Sequence, residues 1–118
     1  MEATAFARFQ RFGPRKVAQV CAQIRGQSVS SAEAILPQVP RRASSVVAKT
    51  LMSAFANLRV KTGKKLEPEQ AYVKAAYSNQ GPMQALKRIQ PGPMGRAMPF
   101  KRKMCHLTIV VSDAKGGK

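Results

Sequence analysis

The sequence predicts an α+β domain: three helices packed on a small three-stranded antiparallel sheet, with a long extended β-hairpin arm. Three observations carry that expectation. Val47, Leu51, Ala54, Phe55 and Leu58 recur at i, i+4, i+7, i+8 and i+11, one continuous face of a long helix. Leu107-Thr108-Ile109-Val110-Val111 is an unbroken β-forming run. From Gly81 to about Cys105 the chain is too polar and too rich in Gly and Pro to add to a core. It contains a tight reversal at Pro91-Gly92-Pro93-Met94-Gly95.

The elements follow in order. Ala5 to Phe12 reads as a first strand, with Phe6, Phe9 and Phe12 as β-formers. Gly13-Pro14 opens a helix, because proline suits the first helical position. Val17, Val20, Cys21 and Ile24 fall on one face of it, and Arg25-Gly26 is its stop. Ser30-Ser31-Ala32-Glu33 has capping-box spacing and predicts a short second helix, ended by Pro37 and Pro40. The long third helix runs from about Arg41 to Val60. Lys61 to Lys65 reads as a polar basic loop. Ala71 to Tyr77 reads as a strand, with Val73, Ala75 and Tyr77 on one side and Tyr72, Lys74 and Ala76 on the other. The expected division is one domain: a body of about 1–80 and 105–113, a hairpin of about 81–105 and a disordered tail at 114–118.

Charge bounds the function. The 118 residues carry 21 Lys+Arg against 5 Asp+Glu, a formal charge of +16 with a pI near 11.1. The 43 residues from Gln70 to Ser112 contain no Asp or Glu at all. A cationic arm without counter-charge repels itself in water, so it fits best against a polyanion, and nucleic acid is the commonest one. An interfacial membrane helix needs a cationic face opposite a bulky apolar one, and no segment has both. No apolar run reaches 18 residues, and Met1-Glu2-Ala3 opens no signal-peptide core.

Enzyme chemistry has little to work with. His106 is the only histidine, and beside Cys105 on a strand it points to the opposite face. Cys21 and Cys105 lack CxxC spacing and read as two reduced, partly buried thiols. Glu67 and Glu69 are the one close acidic pair, and they flank Pro68 in an expected surface loop. No catalytic residue, metal set or cofactor is expected.

Several segments, in order, resemble a known family. They are Pro14-Arg15-Lys16, Ile24-Arg25-Gly26, Ala32-Glu33-Ala34-Ile35-Leu36 and Ser53-Ala54-Phe55-Ala56-Asn57, then Leu86-Lys87-Arg88, Met94-Gly95-Arg96-Ala97 and His106 to Ser112. Together they cover nearly the whole chain and resemble the large-ribosomal-subunit protein of the L-twenty-two family, of bacterial or plastid type. The chain differs from that pattern at Gly13, where the family has Ser, and at Met104-Cys105, where it has Thr-Ser. Gly92-Pro93 stands where the family carries a basic residue, and the arm between Pro82 and Lys87 is about two residues longer.

The resemblance implies a structural constituent of the large subunit, in the cytoplasm or in an organelle. Its expected partners are large-subunit rRNA, neighbouring ribosomal proteins including the L-four protein, and nascent peptide, with no membrane. The tip, Gln90, Pro91, Gly92, Pro93, Met94 and Gly95, would help line the peptide exit tunnel. Four groups of RNA contacts are expected: Arg8, Arg11, Arg15 and Lys16 at the first strand–helix junction; Arg25 at the helix end; Lys61, Lys64 and Lys65 in a basic loop; and Lys87, Arg88, Arg96, Lys101, Arg102 and Lys103 on the hairpin. His106 joins them as a packed or phosphate-contacting residue. Met83, Met94, Met98 and Met104 are expected as flexible apolar contacts. The alternative is a free-standing basic RNA- or DNA-binding chaperone or architectural protein.

Overall fold

The computed structural model describes residues 1–83 and 87–114. The expected tail, apart from Ala114, and most of the expected lengthening between Pro82 and Lys87 lie outside them. The elements are β1 (Glu2–Gln10), α1 (Pro14–Ile24), α2 (Val29–Ile35), α3 (Ala43–Thr62), β2 (Tyr72–Gln80), β3 (Lys87–Pro91), β4 (Ala97–Lys101) and β5 (Cys105–Ser112). Short 3₁₀ turns at Leu36–Gln38 and Pro68–Gln70 and a tight turn at Pro93–Gly95 join them. β1, β5 and β2 form an antiparallel sheet in that order, and β3 pairs with β4 in a separate hairpin. The expected α+β class and the hairpin arm are both present.

The strongest strand in sequence is the central one. Leu107, Ile109 and Val111 of β5 face the helices and are fully buried. They pack against Val17, Val20, Cys21 and Ile24 of α1 and the predicted α3 face, Val47, Leu51, Ala54, Phe55 and Leu58. Ala3 and Ala5 supply the inward side of β1, and α3 packs extensively on that strand.

Both outer edges of this sheet are covered in part, which blunts a route to strand-on-strand aggregation. Asn57 Nδ2 donates to Thr4 O (3.1 Å) and Lys61 Nζ to Glu2 O (2.7 Å), so α3 covers β1. The α1–α2 connection covers β2. Gly26 N–H donates to Val73 O, Val73 N–H to Gln27 O, and Val29 N–H to Ala71 O, each at 2.9 Å. Gly26 reaches this edge at φ +74, a backbone conformation that favours glycine.

Four local expectations are corrected. β1 spans Glu2–Gln10 rather than Ala5–Phe12, because its start pairs with Ser112 at the end of β5. The second helix is capped by Ser28, whose Oγ accepts from Ser31 N–H, not by Ser30 with Glu33. Burial of Val29 and its bond to Ala71 start the helix earlier than the capping-box pattern does. Lys61 lies in the last turn of α3, which ends at Gly63 in the left-handed region, φ +67. In β2 the simple alternation fails: a bulge between Val73 and Ala75 turns Val73 and Ala76 inward and leaves Tyr77 outward. Lys74, the extra residue, forms an ion pair with Glu2 across the sheet end.

The arm makes the molecule long. Its extents are 64 × 26 × 23 Å and its radius of gyration is 17.3 Å, against about 13.5 Å for a compact chain of this length.

Candidate nucleic-acid interface

The sheet has two ends, and the cations divide between them. Gln10, Cys105 and Gln80 lie at one end; Glu2, Ser112 and Tyr72 lie at the other. The hairpin leaves from the first. There the junction between β1 and α1 and the base of the hairpin enclose an open groove of about 1060 Å³. Its cationic walls are Arg11, Arg15 and Lys16 from the junction and Arg88, Lys101, Arg102 and Lys103 from the hairpin. Two groups far apart in sequence thus meet in one groove, and among the described residues no Asp or Glu lines it.

Local structure sets this geometry. Pro14 starts α1 without a side-chain cap, since Gly13 has none to offer. Ser78 Oγ donates to Pro14 O at 2.7 Å and pins the junction to β2. At the hairpin base Gly81 N–H donates to Met104 O at 2.9 Å. A Cβ on Gly81 would stand 3.0 Å from Met104 Cβ and 3.3 Å from its carbonyl carbon. The two chain segments approach that closely because residue 81 is glycine.

The hairpin has little of its own to hold it in order. All ten residues of β3 and β4 are exposed. Lys87 stands directly opposite Lys101, a like-charge pair that opposes the hairpin unless anions neutralise it. Pro91 and Pro99 each lack a ladder donor. A two-stranded ribbon is marginal in water. At the tip Gly92 N–H donates to Arg96 O at 2.7 Å, and Met94 (φ +60) and Gly95 (φ +71) make the reversal in the left-handed region. Met94 is 96% exposed. Met98 packs on Gly92, where a Cβ would fall 2.9 Å from Met98 Cγ. Gln90, Pro91, Pro93 and Arg96 complete this exposed end.

The other expected contacts lie elsewhere. Arg8 is on β1, with its guanidinium 5.3 Å from the Phe6 ring centroid. Arg25 uses Nε for Ala76 O at 2.8 Å, so it braces the sheet edge. Lys61 holds Glu2 O, and exposed Lys64 and Lys65 accompany it at the far end of the sheet, away from the groove. Lys64 and the Met1 amine there help hold the Asp113 carboxyl below its usual range, the hydrogen bond from the amine contributing most. His106 is a packing residue: its Nδ1 accepts from Phe9 N–H at 3.1 Å and its ring meets Phe9 edge-on at 5.0 Å. That contact holds Phe9 at φ +57 within the β1 bulge between Ala7 and Gln10.

Nothing in the two thiols suggests reactivity. Both are buried, and burial pushes Cys21 up to about 11 and raises Cys105. Among the described residues no three of His, Cys, Asp and Glu come together as a metal set, and no helix is long and apolar enough to cross a membrane. Glu67 accepts from the Gln70 backbone as the cap of its 3₁₀ turn.

An α+β body with a cationic hairpin and an acid-free groove at its base defines a polyanion-binding module. The family model described as ribosomal protein L22p/L17e matches residues 5–112. The chain is 44% identical over 117 residues to the large ribosomal subunit protein uL22 of Pelotomaculum thermopropionicum, covering 99% of this chain and 100% of that one. It is 44% identical over 115 residues to the uL22 of Staphylococcus aureus, covering 98% and 95%. The uL22 of Myxococcus xanthus is 41% identical over 115 residues, covering 98% and 99%. The chain therefore belongs to the ribosomal protein L22p/L17e family.

Proposed function

We propose that this chain is a structural constituent of the large ribosomal subunit that binds and organises large-subunit rRNA. The observation that carries the reading is the groove: seven cations from two distant segments converge with no carboxylate among them. Such a groove neutralises phosphates of a folded RNA and reads its shape rather than its sequence. The hairpin, self-repelling and exposed on both sides, threads into rRNA, and RNA contact supplies the order that the ribbon lacks alone. The tip from Gln90 to Gly95 helps line the nascent-peptide tunnel beside the L-four protein. The body sits near the tunnel exit among neighbouring ribosomal proteins, and the protein works in the cytoplasm with no chemical step of its own.

Sedimentation of tagged protein from lysate through a high-salt gradient tests this reading. Stoichiometric retention with the large subunit is the expected result, because an interlocked hairpin does not leave by counterion competition alone. Loss into the light fractions at modest salt favours a free-standing RNA-binding protein instead.

A further inference from the structure

The helices cover one face of the three-stranded sheet, and the opposite face carries aromatic rings in the open. Phe6, Thr108 and Tyr77 form one row across the three strands. Thr4, Val110 and Ala75 form the next row on one side. His106 and Asn79 form the row on the other, with Phe9 against the imidazole. Phe6 is 60% exposed, Phe9 59% and Tyr77 43%. Leaving these rings in water forfeits the burial that makes aromatic residues stabilising in a core.

We propose that this open face is a second RNA site, which takes unpaired bases by stacking on Phe6 and Tyr77. The inference rests on the rRNA-binding reading and adds to it a surface separate from the cationic groove. Thr108 lies between Phe6 and Tyr77 and is only 6% exposed, and the two strands that carry the rings lie about 10 Å apart. Arg8 lies over Phe6, and a guanidinium offers both a further stacking surface and a phosphate donor. Glu2, the acidic residue of β1, is engaged by Lys74. The face thus meets an anionic partner without an unpaired carboxylate among these rows. Arg11, just past the end of β1, lines the groove at that end of the sheet, so a strand whose phosphates lie in the groove can present bases here. Aromatic rings interleaved with Thr, Asn, His and Arg suit nucleobases better than they suit an aliphatic protein helix, because every base offers a π-face and polar edges.

The test is titration of the full-length protein with a short single-stranded RNA bearing 2-aminopurine, whose fluorescence falls when it stacks. The chain has no Trp to interfere. Wild-type protein is expected to quench the probe. Phe6→Ala with Tyr77→Ala is expected to abolish quenching and weaken binding about 10-fold or more. The slope of log K against log salt should stay unchanged, since no phosphate contact is removed. Tyr77→Phe, which keeps the ring, should retain quenching and serves as the folding control. Arg15→Ala with Lys16→Ala should do the reverse, lowering the slope and keeping the quenching. Wild-type binding with a steep salt slope but no quenching overturns the stacking site alone, and leaves the face to a protein neighbour. Absence of any RNA affinity at low salt overturns the RNA-binding reading as well.

Discussion

Arg25 Nε donates to the carbonyl oxygen of Ala76 across 2.8 Å, tying the end of α1 to the free edge of β2. Arg25, expected from sequence as a helix stop or an RNA contact, also braces two layers through Nε. Arg25→Ala is expected to lower unfolding free energy by about 1–2 kcal/mol, near the lower end for a hydrogen bond to a charged group because this one is only partly buried. Urea denaturation would measure it. The salt slope of RNA binding should not change, and a fall of one contact would instead return Arg25 to the RNA interface.

The groove and the far-end lysines make opposite predictions. Arg15→Ala, Lys16→Ala, Arg88→Ala or Arg102→Ala should each reduce the slope of log K against log salt by about 0.7 to 0.9, one phosphate contact, with stability nearly intact. Lys61→Ala should leave the slope alone and cost about 1 kcal/mol of stability, because its Nζ closes the β1 edge on Glu2 O. Equal slopes for all five variants would show that the groove is not where phosphates bind.

Two glycines of the hairpin differ in what surrounds them. At Gly81 an added methyl meets Met104 Cβ and backbone, which cannot move without opening the hairpin base. Gly81→Ala is expected to cost about 1–3 kcal/mol. At Gly92 the nearest atoms belong to the flexible Met98 side chain. Gly92→Ala should cost less, because the Met98 side chain can turn aside and leaves only the Arg96 carbonyl oxygen, 3.2 Å from the added methyl, as a tight contact. Hydrogen exchange at the residue-81 amide, which donates to Met104 O, and at Cys105 would separate the two variants, with faster exchange for Gly81→Ala.

Burial of Cys21 predicts a pH response of definite sign. Its thiol is raised from 9.0 to about 11 in the folded state, chiefly by desolvation. The unfolded chain therefore loses this proton first as pH rises. Stability linked to Cys21 is fully present below about pH 9 and declines between pH 9 and about 11. Urea midpoints of the wild type should fall across that window more steeply than those of Cys21→Ala. At pH 8 an aromatic disulfide reagent should leave Cys21 unmodified until the protein is unfolded.

The missing cap at the first helix gives a stabilising prediction. Gly13 holds the N-cap position at φ −65 and ψ 136 with open space around its Cβ position. Gly13→Ser can supply the absent side-chain acceptor without strain and is expected to add a few tenths of a kcal/mol. A thermal melt reads the gain.

Periodicity and charge in the sequence determined the layers and the kind of partner. The α3 face, the central β5 run and the acid-free arm are local patterns, and local patterns survive folding because burial rewards them directly. The family membership was legible too, through short segments kept in order. Tertiary structure alone decided where those segments meet. Pairing of Glu2 with Ser112 set the start of β1, and buried Val29 overrode the Ser30–Glu33 cap. The bulge at Lys74 turned Tyr77 outward, onto the face that carries Phe6, by adding one residue to a period of two. Arg25 and Lys61 became edge braces because unpaired carbonyls on β2 and β1 lay within their reach. The groove formed because antiparallel pairing brings Gln10, Cys105 and Gln80 to one sheet end, carrying Arg15 and Arg102 together across most of the chain's length. Spacing along a sequence cannot encode that meeting, since it depends on which strands pair and in which register.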